Sequence, residues 1–425
     1  MNTAPTDSAD YLGRRASLLV FVAFAAAYFC STLLRAITAT LAPVLTQEFT
    51  LHARDLGLLA GGYFLGFAAT QLPMGTWLDR HGPKRVILWF MCLAVLGCVA
   101  FSFANSFVWL LASRVIMGMG VSACLMAPLT GYRRWYAPAT VLRANSLMLM
   151  TASLGMLSST LPVQWLMPHF GWRPLFWGLA ALALLSMAAI VWLVPDWKNK
   201  EPAPSIEVRS LPAARPPVSA GSYADVWRNR YFRRMSPMAF FNAAGLIAMQ
   251  TLWAGPWMVR VAGYTPLESA TGLFYINAIM LVTYLAWGIG NPWLMRNGWH
   301  ATRLIAWGAP TSLAALAAII LAGPAAGWPH WALFCIGCSF MSLAQPAVGM
   351  AFPAALAGRA LSAYNLVIFV GVFVVQWGIG LLIDSFLALG WSDVASFQGA
   401  MTVFLCCCIA SYAYFLSMNA DNSPQ

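Results

Sequence analysis

Apolar residues run in blocks of about twenty, separated by short clusters of charge, Pro and Gly, from near residue 18 to near residue 417. A helix needs about 20 apolar residues to cross the hydrocarbon core of a bilayer. The pattern predicts twelve such helices, at 18–42, 57–78, 86–106, 108–130, 141–163, 173–194, 235–258, 271–293, 302–323, 330–352, 360–383 and 395–417. Gly and Pro inside several of them fit, because membrane helices tolerate both better than soluble helices do. The chain reads as an all-α membrane protein.

Composition agrees and narrows the class. Of 425 residues, 60% are hydrophobic and 9% charged, against the ~25% charged of soluble domains. Mean hydropathy is +0.70. Such a chain could not cover a soluble surface, which excludes a secreted domain, a nucleic-acid binder and most soluble enzymes. The net charge of +11 is explained by the bias of Lys and Arg toward cytoplasmic loops. With the N-terminus inside, nineteen of the twenty-four Lys and Arg fall on inside segments; Arg54, Arg114, Arg173 and Arg260 fall outside, and Arg35 lies within a span. The expectation is a multi-pass protein of the plasma (inner) membrane with both termini cytoplasmic. No short apolar segment with a small-residue cleavage site precedes the first span, so that span is read as uncleaved. The nine cysteines show no metal spacing, and Cys406, Cys407 and Cys408 share one apolar run, which suits packed thiols.

Residues 195–234 change character. They carry twelve charged residues and a Pro-rich stretch, and divide the chain into two six-helix halves. The predicted organisation is a tail (1–17), a six-helix bundle (18–194), a linker (195–234), a second bundle (235–417) and a short tail (418–425). The end of the linker, Tyr223 to Arg234, alternates aromatic and basic residues and is predicted to be an interfacial helix. Arg80-His81-Gly82 after span two matches Arg296-Asn297-Gly298 after span eight. Arg143-Ala144-Asn145-Ser146 matches Arg359-Ala360-Leu361-Ser362 at the same offset of 216 residues. Two matches at one offset point to a parallel repeat.

Gly75-Thr76-Trp77-Leu78-Asp79-Arg80-His81-Gly82-Pro83-Lys84-Arg85 resembles the signature loop of the major facilitator superfamily, between its helices two and three. Arg114, Gly118 and Gly120 in span four resemble the family's second motif, and Gly171-Trp172-Arg173 before span six is a third similar feature. The resemblance covers nearly the whole chain and implies two pseudo-symmetric six-helix bundles that rock around a midplane site. It also implies a monomer. Independently of it, Gly82 and Pro83 suit a tight turn, and Lys84 and Arg85 suit an anionic membrane surface. The family assigns such a loop to latching one access state, which makes Gly75, Asp79, Arg80, Gly82, Lys84 and Arg85 gating residues here, with Arg114 in gating or ion coupling. The second-half copy has Met295 at the Asp position and Asn291 at the Gly position, so a latch there is weakened.

Charges inside a membrane are costly and mark function. All thirteen Asp and Glu and all five His fall at span ends, in loops or in tails. Arg35 is the one ionisable group deep in a predicted span, on a stripe with Tyr28, Ser31, Thr32 and Thr38 at helical spacing. A permanently charged planar fork with no carboxylate at its depth points to a bound carboxylate or phosphate; the alternative is a structural Arg bonded to neighbouring carbonyls. The run from Arg35 to Pro43 is similar to helix one of the organophosphate and organic-anion branches, where this Arg contacts substrate. The second Arg of the organophosphate group is missing from span seven, and the Arg pair of the nitrate branch is absent. Tyr63, Asn242, Gln250, Trp253, Asn277, Gln345 and Asn365 complete the predicted substrate-binding set, each with a packing hydrogen bond as its alternative. Arg114, near the outer end of span four, has snorkelling or helix packing as its structural alternative.

The leading expectation is a secondary transporter of a small organic anion, with a proton or a counter-anion as coupling partner and no cofactor. Alternatives are transport of neutral aromatic compounds, Cu(I) transport through Met235 and Met238, and a non-transporting sensor. Span five lacks the Pro of drug antiporters across Thr151–Met156, and Lys84, Lys198 and Lys200 sit in no phosphate-binding loop, which speaks against a pump or an enzyme.

Overall fold

The computed structural model describes residues 11–136, 138–196 and 222–418. Most of the N-terminal tail, the middle of the linker and the last seven residues lie outside the described residues. Among the described residues every regular element is helical. Among the described residues nine helices are long and apolar enough to cross a membrane, and ten if the bent pair Arg143–Ser158 and Leu161–Phe170 forms one span.

The expected spans two and seven are interrupted rather than missing. Span two is Ala53–Ala69 followed by Gln71–His81, with a break at Thr70. Span seven runs through Arg230–Met238, two π-helical stretches at Ala239–Ala243 and Met249–Trp253, and Ala254–Arg260. π-Turns widen a helix locally and re-aim its side chains. Span one exceeds its predicted 18–42: it extends over Arg14–Phe49. At 1.5 Å per residue that is about 54 Å, well beyond the ~30 Å hydrocarbon core. Its polar flanks, Arg14-Arg15 and Gln47-Glu48, are helix-compatible, so the apolar run alone underestimates it. The helix stops at Thr50, whose φ of 49° is left-handed and whose N–H returns to the Thr46 carbonyl.

The expected interfacial helix at Tyr223–Arg234 is corrected. Ser222 and Asp225 cap a short helix, Tyr223–Arg228, and Asn229 caps the next, which continues into span seven. Val226 and Phe232 are fully buried, and the Phe232 ring meets Tyr364 edge-on at 6.3 Å. The segment therefore seals the end of the second half with its apolar side.

The repeat is visible in the backbone. Gly82 and Gly298, 216 residues apart, have φ of 77° and 76°. A side chain would strain both turns. Each glycine turns the chain from one span into the next, after span two and after span eight.

The two halves are joined unequally at their two ends. One apolar core includes residues of both halves, with Leu34, Leu56 and Tyr63 in the same cluster as Trp253, Trp257 and Val375. At the face where span one begins and span twelve ends, the second half has a core of its own around Phe232, Met238, Leu343, Tyr364 and Phe415. The opposite face is held shut where spans two and eleven touch: a Cβ on Gly57 would collide with the Gln376 carbonyl. Spans one and seven also meet there, with Gly255 against the Ala39 carbonyl.

Candidate functional site

Two arginines occupy the middle of the first half, and they differ in what holds them. Arg114 is fully buried, with 1% of its surface exposed. Its Nη1 donates to the Leu34 carbonyl at 2.9 Å and its Nη2 to the Thr38 hydroxyl. The guanidinium also sits 5.0 Å from the Tyr63 ring centre. A snorkelling Arg114 is thus ruled out: the side chain points inward across span one. Arg35 is consequently not the one deep charge, although it is the less committed one. It is half-buried, and its Nε, like that of Arg114, has no partner among the described residues. The guanidinium carbon lies 5.6 Å from the Phe67 ring and 5.9 Å from the Phe369 ring. Those rings, from spans two and eleven, are themselves 4.3 Å apart. A cation beside a pair of aromatic rings is stabilised without being neutralised.

The other predicted residues fall into three groups. Tyr63 is near Arg35 and is fully buried, its hydroxyl donating to the Ser31 carbonyl at 2.9 Å. Tyr28 is buried one helical turn from Thr32, whose hydroxyl bonds back to the Tyr28 and Phe29 carbonyls. A second group bonds within the second half. Asn242 donates to the Ser411 hydroxyl at 2.8 Å, Asn277 to the Leu273 carbonyl of its own helix, and Gln345 to the Asn365 carboxamide oxygen at 2.9 Å. Spacing alone did not pair Gln345 with Asn365; the fold does.

Gln250 and Trp253 form the third group, on the second π-helical stretch of span seven. Both are buried. The Trp253 indole donates to the Gln376 carbonyl at 3.1 Å, and Gln376 donates to the Thr251 hydroxyl at 2.9 Å. Trp253 also lines a cavity of about 640 Å³ among the span ends at the face opposite the termini, with Pro43, Thr46, His52, Arg260 and Asp384.

The signature loop lies at the face that carries the termini. Gly82 ends one helix and begins the next. Gly75, Asp79 and Arg80 are exposed, Arg85 is exposed, and Lys84 is partly covered. Lys84 pairs with Asp196, just past span six, at 3.0 Å. That contact holds the Asp196 carboxyl below its ordinary range, first by the hydrogen bond and then by the charge. Asp79 makes no ion pair among the described residues.

No group of three or more His, Cys, Asp or Glu with metal-binding placement occurs among the described residues. Met235 and Met238, the thioethers of the copper alternative, are fully buried in the second-half core. The Met238 sulfur accepts from Asn242 and Ser411. Packed thiols hold for Cys30, Cys98, Cys124, Cys335, Cys338 and Cys408, whereas Cys92 and Cys406 are exposed on the outer wall.

A family model described as Major Facilitator Superfamily matches residues 24–376. The chain belongs to the Major Facilitator Superfamily. Its fold is similar to that of a bacterial homologue of the human lysosomal transporter Spinster in an inward-facing, unoccupied conformation. The TM-score is 0.74 at 17% identity, covering 96% of this chain and 98% of that one. Among curated sequences it is similar to the niacin transporter NiaP of Acinetobacter baylyi, 30% identical over 38% of this chain and 36% of that protein. It is also similar to the hexuronate transporter of Bacillus subtilis, 22% identical over 60% of this chain and 58% of that one. The aligned stretches thus span between about a third and three-fifths of these relatives.

Within this superfamily fold, the residues that the sequence did not single out are those joining the halves. Phe67 and Phe369 read as ordinary core, and Gln376 as one more amide in an apolar run. Asp384 reads as a charge at a span end. Each acquires its role from a residue more than one hundred positions away, and no local pattern encodes that. The one available signal was the Ala53, Gly57, Gly61 series in span two. Small residues at every fourth position mark a close helix contact.

Proposed function

We propose that this superfamily member is a secondary active transporter of a small organic anion, with Arg35 as the anion clamp. The observation that carries the reading is the contrast between the two central arginines. Arg114 is fully buried and spends both terminal nitrogens on span one, whereas Arg35 stays half-open, over the Phe67 and Phe369 rings and beside Tyr63, with no carboxylate among its described contacts. All thirteen acidic residues lie at span ends, in loops or in tails, so a bound anion is the natural neutraliser of Arg35. The relatives named for niacin and hexuronate transport, both carboxylic acids, support the same class.

Transport then follows from the two unequal ends. The halves are in close contact toward the face opposite the termini, at Gly57 against Gln376 and Gly255 against Ala39, and we take Arg35 to be reached from the termini side. The concentration of Lys and Arg on that side supports its being the cytoplasmic one. Rocking about the Arg35 layer moves access to the other face, and the cavity above Trp253 is the vestibule that this would deepen. Coupling by a proton on the substrate or by a counter-anion is compatible with the absence of membrane carboxylates.

The experiment is a thermal-shift screen of purified protein against mono- and dicarboxylates, phosphates and neutral aromatics, run beside Arg35→Gln. A ligand at one hundred times its dissociation constant stabilises by about 2.7 kcal/mol. The expected result is an anion that stabilises the native protein and not the variant. Equal shifts in both, or shifts with neutral aromatics alone, would overturn the anion reading.

A further inference from the structure

Asp384 sits near the outer end of span eleven, in the second half, and its carboxylate reaches the first half. One oxygen accepts the Ala53 N–H at 3.1 Å and the other accepts the Arg54 N–H at 3.0 Å. These are the first two N–H groups of the span-two helix Ala53–Ala69, which no intrahelical carbonyl can satisfy. A carboxylate there also meets the positive end of the helix dipole. The Arg54 guanidinium approaches the same carboxylate at 3.9 Å. The Asp384 side chain is 16% exposed and Arg54 55% exposed, so the carboxylate is largely enclosed while its cationic neighbour is wet.

Three further observations make this a latch rather than a stray cap. Below Asp384, spans two and eleven are in close contact at successive turns. A Cβ on Gly380 would strike the Ala53 carbonyl, and one on Gly57 would strike Gln376. Next, the pseudo-equivalent helix start, that of span eight, is capped from within its own half. There the Thr265 hydroxyl accepts the Glu268 N–H at 3.2 Å and the Glu268 carboxylate accepts the Thr265 N–H at 2.8 Å. Span two has its own reciprocal contact, His52 N–H to Asp55 at 3.0 Å, yet still leaves Ala53 and Arg54 to the other half. Last, separating the halves at this face breaks both Asp384 bonds together, because donor and acceptor sit on different rigid bodies.

We propose that Asp384 is the latch residue that holds the face opposite the termini closed, by capping the first helix of span two across the boundary between the halves. It rests on the transporter reading only in calling the movement a transport step; the closure itself is independent of which solute is carried. Asp384 is a positioning residue and touches no substrate.

The test reads closure directly. Leu56, 6% exposed, lines the cavity beside the latch. Leu56→Cys is placed in the full chain with Cys92→Ser and Cys406→Ser, and its reaction rate with a water-soluble maleimide is measured on purified protein. The same background without Leu56→Cys supplies the blank. Asp384→Asn is expected to raise the rate roughly fivefold, the factor for a charge–helix-terminus contact of about 1 kcal/mol. Ala53→Pro removes one of the two donors while leaving Asp384 in place. Proline is tolerated at the first helical position, so this variant is expected to raise the rate by less. Glu268→Gln, which weakens a cap inside the second half, is expected to leave it unchanged. If Asp384→Asn and Ala53→Pro react at the parent rate, or Glu268→Gln accelerates as much as they do, the latch is refuted. Should Asp384→Asn fail to fold, Ala53→Pro alone decides. Because no ligand is added, failure here leaves the Arg35 screen standing, and the reverse also holds.

Discussion

Arg114 donates to the carbonyl of Leu34, the residue immediately before Arg35. The fully buried guanidinium therefore fixes the turn of span one from which the half-open one projects. With Thr38 as its second acceptor, Arg114 spans the single helical turn that contains Arg35. It acts as a brace, and among the described residues its charge is offset by those oxygens and the Tyr63 ring.

Removing that brace is expected to be expensive. Charge-assisted hydrogen bonds contribute about 1.5–3 kcal/mol each, and their loss leaves a buried acceptor unsatisfied. Arg114→Leu should lower stability by roughly 3 kcal/mol, read as a large drop in melting temperature in detergent. Arg114→Lys should recover only part of it, because a point donor on a single stem cannot span Leu34 and Thr38 as the fork does. Equal melting temperatures for native protein and Arg114→Leu would remove the brace from the account.

Asn242 separates packing from binding. Its amide is spent on Ser411 and the Met238 sulfur, so Asn242→Leu should destabilise by about 1 kcal/mol and leave the KM for the transported solute unchanged. Arg35→Lys should do the opposite, with little change in melting temperature and a rise in KM of tenfold or more. A shared pattern for the two variants would contradict the division drawn between them.

Gly57 reports on the closed face. Gly57→Val places a branched side chain against the Gln376 carbonyl, a backbone group that cannot rotate away. The protein should still insert, since the substitution is apolar, while spans two and eleven are forced apart. Solute flux in proteoliposomes should fall at least tenfold with expression retained. Flux near the native level would show that this contact can relax without cost.

The signature loop has a pH-dependent tether. Pairing with Lys84 depresses the Asp196 carboxyl, so its stabilising contribution is fully present above the ordinary carboxylate range. It is lost as pH falls through the depressed value. Asp196→Asn should therefore melt slightly below the native protein at neutral pH, and the two should converge in strong acid. A difference that persists below that range would assign it to packing rather than to the ion pair.

The sequence by itself determined the membrane class, the near-complete set of spans, the repeat and the family. All of these rest on local apolar length and on turn chemistry such as Gly82 and Gly298, which act within a few residues. It also singled out Arg35, because a charge surrounded by apolar neighbours is conspicuous along the chain. Tertiary structure alone decided what each charge is paired with. Along the chain Arg114 is a span-end residue and Asp384 a charge at a span end; only the fold puts the Arg114 donors on Leu34 and Thr38 and the Asp384 oxygens on Ala53 and Arg54. Hydrophobic periodicity is a property of one helix at a time. The bonds that join two rigid halves depend on which helices the fold brings together, and the spacing of residues along either one carries no record of it.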